Sequence, residues 1–142
     1  VALQGITEKQ RLHIREELIE IGTECILKNP ITIEDVRSFR NKQFPNGANA
    51  GCFIACVFNK AGIFNDEGLV SKKTATEKAT KVFDDETELK NYEQFIAVCD
   101  KVNEESVSDG QKGCERAKLA FQCLIQNSKQ VFIPYNLLLG SR

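Results

Sequence analysis

The chain has 142 residues and a mass of 15.9 kDa, which predicts one domain over residues 1–142. Its 19 basic and 20 acidic residues nearly balance, which argues against a nucleic-acid surface and against attraction to an anionic membrane. The single histidine, His13, excludes mechanisms that need a pair of histidines. The longest uncharged apolar run, Cys52 to Phe58, is far shorter than the roughly 18 residues of a membrane helix.

Helical periodicity covers most of the chain, beginning with a helix from Glu8 to about Lys28. Thr7 and Gln10 have capping-box spacing at its start, and Asn29-Pro30 ends it. Its apolar residues form two stripes, which predicts packing on two sides. The first stripe is Ile14, Leu18, Ile21 and Cys25, and the second is Leu12, Ile19 and Ile26.

Five further helices are expected, and no segment alternates like a half-buried strand. They are a short helix after Thr32, longer ones over about Ala48–Lys60, Ser71–Phe83 and Glu86–Asn103, and a sixth that Asp109-Gly110 precedes and that runs to about Asn127. Residues 131–142 form an apolar C-terminal tail. The predicted fold class is therefore all-α, a compact bundle of about six helices.

Six cysteines in a short chain that begins at Val1 rather than Met predict a processed, secreted protein with three disulfides. The cysteine count alone leaves their pairing open. A zinc site is less favoured, because the chain has no Cys-x-x-Cys pair and only one histidine. We therefore expect no metal and no cofactor.

The spacing of these cysteines carries a family resemblance. They stand at positions 25, 52, 56, 99, 114 and 123, and the gaps of three residues between the second and third and eight between the last two are specific. With six helices around them, the chain resembles an insect odorant-binding protein of the general six-cysteine type, from Glu8 to Asn127. The pairing that the resemblance implies is Cys25–Cys56, Cys52–Cys114 and Cys99–Cys123. It also implies three disulfides around an apolar cavity.

The resemblance implies a secreted, non-enzymatic carrier of small hydrophobic ligands, namely odorants, semiochemicals or lipids, through aqueous fluid such as sensillar lymph. A membrane odorant receptor or a second copy of the chain are further candidate partners. The chain departs from moth pheromone-binding members in lacking Trp, in having one histidine, and in having no Asp or Glu in residues 131–142. We therefore expect no pH-dependent movement of the tail.

Apolar and aromatic side chains are the candidates for lining such a cavity. They are Leu18, Ile54, Phe58, Phe64, Val82, Ile96, Phe121, Leu124, Phe132 and Tyr135. Ile54, Phe58 and Leu124 stand close after cysteines, where family members often contact ligand, and the others rest on helix-face arguments. Tyr135 is the candidate hydrogen-bond donor. Residues 131–139 are expected to form one cavity wall, and packing on the outer surface or on a second subunit is the alternative.

Two other function classes remain open. An enzyme is disfavoured because a Ser or Cys nucleophile would need His13 as its base, and no catalytic residue is predicted; the sequence picks out no pair of carboxylates for a hydrolase. A secreted protein-interaction or defence module on the same scaffold, with no open cavity, is the alternative function. An accessible cavity would distinguish the carrier from this module.

Overall fold

The computed structural model describes residues 7–128, which form six α-helices and two short 3-10 helices. The α-helices are α1 Glu8–Lys28, α2 Ile33–Arg40, α3 Ala50–Ala61, α4 Lys72–Ala79, α5 Glu86–Val98 and α6 Cys114–Gln126. The 3-10 helices, Asp100–Glu104 and Gly110–Lys112, lie between α5 and α6. The described residues contain no strand, only an isolated bridge between Phe64 and Val70. The predicted all-α fold class is confirmed.

The first two helices begin where local hydrogen bonds satisfy their free backbone N–H groups. At α1, the Thr7 hydroxyl accepts from the Gln10 backbone N–H at 3.0 Å, and the Gln10 side chain accepts from the Thr7 N–H at 2.9 Å. Thr32 and Asp35 form the same reciprocal pair at α2, with both bonds at 3.0 Å. Each such cap stabilises its helix by about 1 kcal/mol, so these capping residues favour a helix start at the position where the structure shows one.

Other helix boundaries differ from those predicted. α4 ends at Ala79 rather than Phe83, because the backbone bonds tighten to i→i−3 spacing: Lys81 N–H donates to the Lys78 carbonyl at 3.2 Å and Val82 N–H to the Ala79 carbonyl at 2.9 Å. α5 ends at Val98, and the predicted continuation to Asn103 becomes a 3-10 helix. α6 begins only after Gly113, whose φ of 80° lies in the left-handed region that an α-helix cannot include. α3 begins at Ala50.

Three disulfides hold the helices together, and their pairing is the one that the resemblance implied. Cys25–Cys56 joins α1 to α3, Cys52–Cys114 joins α3 to α6, and Cys99–Cys123 joins the end of α5 to α6. The bridged residues are 31, 62 and 24 positions apart in the sequence. In the chain-entropy model, each loop of this length adds about 3–4 kcal/mol of stability.

α3 is the central helix of the core. It packs against α1 and α6, while α4 packs against α5. Its side chains Phe53, Ile54, Val57 and Phe58 are all buried, as the nearly continuous apolar sequence of this segment predicts. Beside it, the ring of Phe39 on α2 is surrounded by other aromatic rings, which close this end of the core. Within residues 7–128, no helix has the length and apolarity needed to cross a membrane.

The prediction that α1 packs on two sides is wrong for the described residues. The stripe that includes Ile14 and Cys25 faces the core, with these two side chains buried. The second stripe lies on the opposite side, and Leu12, Ile19 and Ile26 stay 56%, 48% and 42% exposed. Periodicity reveals the stripes on a helix, whereas the number of neighbouring elements decides how many of those stripes become buried.

Candidate ligand-binding site

A cavity of about 410 Å³ lies inside the bundle. Side chains of α1, α3, α4, α5 and α6 line it, so every α-helix except α2 contributes to its wall. Its volume falls within the range of about 300–1,000 Å³ that is typical of small-molecule sites. The disulfide Cys25–Cys56 joins two of these wall helices, α1 and α3, and thereby sets the distance between them.

Small residues on α4 leave room for the cavity. Ala75 and Ala79 stand one helical turn apart on the face that packs inward, and both are buried and line the cavity. Larger side chains at these two positions would fill the volume, because protein interiors otherwise pack with few voids. The space therefore depends on side-chain size at specific positions as well as on the helix arrangement.

The segment after α4 closes one side of the cavity. Because α4 ends early, Val82 and Phe83 leave the helical path and line the cavity wall. The side-chain amide of Gln10 on α1 donates a hydrogen bond to the Val82 carbonyl at 3.1 Å. The same Gln10 side chain caps α1, so one residue connects the start of the chain's first helix to this wall.

Six of the side chains chosen from the sequence line the cavity together. They are Leu18, Ile54, Phe58, Val82, Phe121 and Leu124. They come from four different segments of the chain, and the helix packing brings them to one space. Two further choices, Phe132 and Tyr135, lie outside the described residues, as does the whole tail 131–142.

Phe64 and Ile96 were also chosen, and neither lines the cavity. Phe64 is only 2% exposed, and its ring packs against that of Phe58 at a centroid distance of 5.3 Å. Ile96 is fully buried in the core. Its neighbour Phe95 lines the cavity instead. Adjacent residues of a helix point about 100° apart. Choosing Ile96 instead of its neighbour Phe95 therefore selects a core side chain in place of one that lines the cavity.

Several lining residues were not chosen from the sequence, among them Ile14, Ile21, Val57, Phe83 and Tyr92. Ile14 and Ile21 belong to the same α1 stripe as Leu18, so following the whole stripe would have identified them. Phe83 could not be found in this way, because its position depends on the early end of α4. Tyr92 lies on an apolar stripe of α5, where its hydroxyl distinguishes it from its neighbours.

The charged lining residues mark the mouth of the cavity. All four, Glu17, Lys60, Lys78 and Lys81, also line an adjoining surface groove of about 680 Å³. The Lys60 ammonium lies 3.5 Å from a carboxylate oxygen of Glu24, with both side chains partly exposed. The cavity therefore opens between α1, the end of α3 and α4, where charged heads can stay hydrated.

The inner wall is apolar apart from one side chain. Away from the four charged residues, the described lining consists of Ala, Val, Leu, Ile and Phe side chains together with Tyr92. The Tyr92 ring packs beside Phe83 at a centroid distance of 6.4 Å. Burial raises the pKa of the Tyr92 hydroxyl to about 12, because the ionised form would lose its hydration.

No group of three or more potential metal ligands is found among residues 7–128, and the six cysteines are all in disulfides. His13 is exposed on α1 and is not part of the cavity wall. Within residues 7–128, the cavity is therefore lined by apolar side chains and the hydroxyl of Tyr92, with charged side chains at its mouth.

Known proteins are similar to this chain in sequence and in fold. The chain is similar to General odorant-binding protein 99a of Drosophila melanogaster, with 24% identity over 114 residues that span 80% of this chain and 76% of the relative. It is also similar to Odorant-binding protein 22 of Aedes aegypti, with 37% identity over 51 residues, 36% of this chain and 37% of that protein.

A solved structure, Odorant-binding protein dmelOBP28a from Drosophila melanogaster, has the same fold. The TM-score is 0.60 at 23% sequence identity, and the match covers 84% of this chain and 95% of that chain. Residues 7–127 match the family model described as the PBP/GOBP family, a range that includes all six cysteines and every described cavity residue. This chain therefore belongs to the PBP/GOBP family.

Proposed function

We propose that this protein is a secreted carrier that binds small hydrophobic ligands in its cavity and takes them through aqueous fluid. Odorants, semiochemicals and lipids are the candidate ligands, and in an olfactory organ the fluid would be sensillar lymph. The observation that carries the proposal is the cavity of about 410 Å³ whose charged groups stand only at its mouth. Membership of the PBP/GOBP family and the names of the relatives support it.

Binding would come from removing the ligand's apolar surface from water. A ligand that buries about 400 Å² of apolar surface gains roughly 10 kcal/mol at about 25 cal/mol per Å². Immobilising the ligand offsets part of this gain. We therefore expect dissociation constants around micromolar, which correspond to about −8 kcal/mol. No step in this function requires a catalytic group, so we propose a carrier rather than an enzyme.

We also propose that the apolar tail, residues 131–139, forms one wall of the cavity. These residues lie outside the described range, and the support comes from the helix that precedes them. α6 ends at Gln126, and its last turns place Leu124 and Ile125 on the cavity wall. The chain therefore leaves α6 beside the cavity, and the apolar side chains of the tail, including Phe132 and Tyr135, would gain from burial there.

A fluorescence titration tests the carrier function. N-phenyl-1-naphthylamine would be titrated into the protein and then displaced by alcohols, aldehydes, terpenoids and fatty acids, near pH 7 and near pH 5. We expect saturable, displaceable binding at both pH values, since the tail carries no acidic residue and His13 lies away from the cavity. The rank order of displacement identifies the ligand class, and loss of binding near pH 5 would overturn the expectation of a pH-independent tail.

A cavity-filling variant makes this titration specific. Ala79→Leu adds bulk inside the cavity and should weaken probe binding by roughly tenfold or more. Ala48→Leu makes the same chemical change at an exposed position and should leave binding unchanged. If the wild type binds no probe, or if Ala79→Leu binds it equally well, the carrier proposal fails and the interaction module becomes the better explanation.

A further inference from the structure

The part of the cavity wall that residues 7–128 form offers a ligand one uncharged polar side chain, and this side chain can select among ligand classes. Among the described lining residues, Tyr92 is the only uncharged polar side chain. Its ring is held beside Phe83, and the residue as a whole is only partly buried. A hydroxyl in an apolar wall needs a partner, which is water in the empty cavity and the ligand when the cavity is filled.

The Tyr92 hydroxyl stays protonated over the physiological range, because burial raises its pKa to about 12. A neutral phenol donates to a carbonyl oxygen and both donates to and accepts from an alcohol. It therefore suits any ligand that carries one neutral oxygen function at the matching position, and it does not require that ligand to be charged.

We propose that Tyr92 is the polar anchor of this cavity and that it selects neutral ligands with one hydrogen-bonding oxygen on an apolar skeleton. Alcohols, aldehydes, ketones and esters are the matching chemical classes. This inference rests on the proposed carrier function and adds the ligand class to it.

Hydrocarbons are disfavoured because they displace the water that satisfies the Tyr92 hydroxyl and provide no replacement. Removing one partner of a buried polar group costs more than its hydrogen bond contributes, so sites of this kind discriminate against ligands that lack the matching group. The selection is therefore a penalty against the wrong ligand as much as an attraction for the right one.

Carboxylates are disfavoured inside the cavity because one neutral hydroxyl does not replace the hydration of a charge. The lysines at the mouth do not reverse this preference. Lys60 lies beside Glu24, and the groove that contains Lys78 and Lys81 also contains the carboxylates of Glu17, Asp66 and Glu77. With acidic and basic side chains interspersed there, the mouth offers no net cationic field to hold an anionic ligand.

The test removes only the hydroxyl, by Tyr92→Phe, and compares ligands that share one carbon chain. 1-Decanol, decanal, 1-chlorodecane and decanoate would each displace N-phenyl-1-naphthylamine near pH 7 from the wild type and from the variant. We expect Tyr92→Phe to weaken 1-decanol and decanal by roughly tenfold, the loss of one buried hydrogen bond. The affinity for 1-chlorodecane should stay the same or rise, because the variant has no hydroxyl to leave unpaired. The wild type should bind decanoate at least about tenfold more weakly than 1-decanol.

Thr87→Val is the matched control, since it removes a hydroxyl from an exposed position on the same helix and should leave the affinity for 1-decanol unchanged. Tyr135→Phe deletes the hydroxyl of the chain's only other tyrosine and tests the alternative that the anchor lies in the tail. Loss of affinity in Tyr135→Phe with none in Tyr92→Phe would place the anchor in the tail and overturn the proposal. So would an equal loss for 1-chlorodecane and 1-decanol, or equal affinity of the wild type for decanoate and 1-decanol.

Failure of the carrier function would have a different signature. In that case neither the wild type nor Tyr92→Phe would bind the probe or any of the four ligands. If all four ligands bind and the hydroxyl makes no difference to them, the carrier function stands and the assignment of Tyr92 falls.

Discussion

At the scale of single residues, Glu88 is a buried carboxylate whose surroundings disfavour its ionised form. It lies on α5, one turn before Tyr92, and is only 7% exposed. Its Oε2 atom has no hydrogen-bond partner. Burial, and secondarily the carboxylate of Asp85, raises the pKa of Glu88 above its ordinary value of 4.5. The ionised form therefore costs the folded state some stability at neutral pH.

Glu88→Gln should make the protein more stable near pH 7, by up to about 1 kcal/mol, because it removes a poorly solvated charge. As the pH falls through the raised pKa of Glu88 toward 4.5, the folded wild type takes up this proton more readily than the unfolded chain does. The cost then disappears, so the advantage of the variant should shrink over this window and be lost below it. Chemical denaturation at a series of pH values measures the difference.

Glu86→Gln is the control for this pH series, since it removes one negative charge from an exposed position in the same first turn of α5. If it reproduces the profile of Glu88→Gln, the general charge of the helix terminus is the cause and the burial of Glu88 is not.

At the scale of elements, the approach of α3 to α6 depends on a residue without a side chain. A Cβ atom added to Gly51 on α3 would lie 2.7 Å from the backbone oxygen of Cys114, at the start of α6. The adjacent disulfide, Cys52–Cys114, holds the two helices at this distance. Because Gly51 has no side chain, the central helix α3 can come this close to the start of α6.

Gly51→Ala tests this close approach. In an ordinary helix the change would stabilise by about 1 kcal/mol, because alanine has the higher helix propensity. Here we expect a net loss of about 1–3 kcal/mol, because the added methyl group must push against backbone that a disulfide holds in place. Thermal denaturation measures the change, and an unchanged or higher melting temperature would show that the two helices separate freely.

At the scale of the whole molecule, the proposed tail wall makes ligand affinity depend on the chain beyond α6. Deleting residues 131–142 should lower the affinity for N-phenyl-1-naphthylamine by roughly tenfold, because the proposal makes this segment one wall and its loss returns apolar ligand surface to water. Deleting residues 1–5 is the matched control. These residues also lie outside the described range and precede the cap residue Thr7. Unchanged affinity after the C-terminal deletion would reject the tail as a wall.

The helices and their disulfide framework were largely predictable from the sequence. The starts of α1 and α2 follow from Thr7 with Gln10 and from Thr32 with Asp35, since a cap forms between residues three positions apart and needs no distant partner. The pairing of the cysteines followed from their spacing only through the family resemblance. Ile54 and Phe58 were found on the cavity wall for the same reason.

Only the tertiary structure decided which apolar surfaces surround empty space. Ile96 and Tyr92 share one stripe of α5, yet the first is packed in the core and the second borders the cavity. The inner stripe of α1 is covered while Ile19 on its outer stripe remains 48% exposed. Periodicity is a property of one helix, whereas the volume and lining of a cavity depend on how several helices pack together. The cavity forms because small residues such as Ala75, the early end of α4 and the two helices that a disulfide joins, α1 and α3, all border the same space.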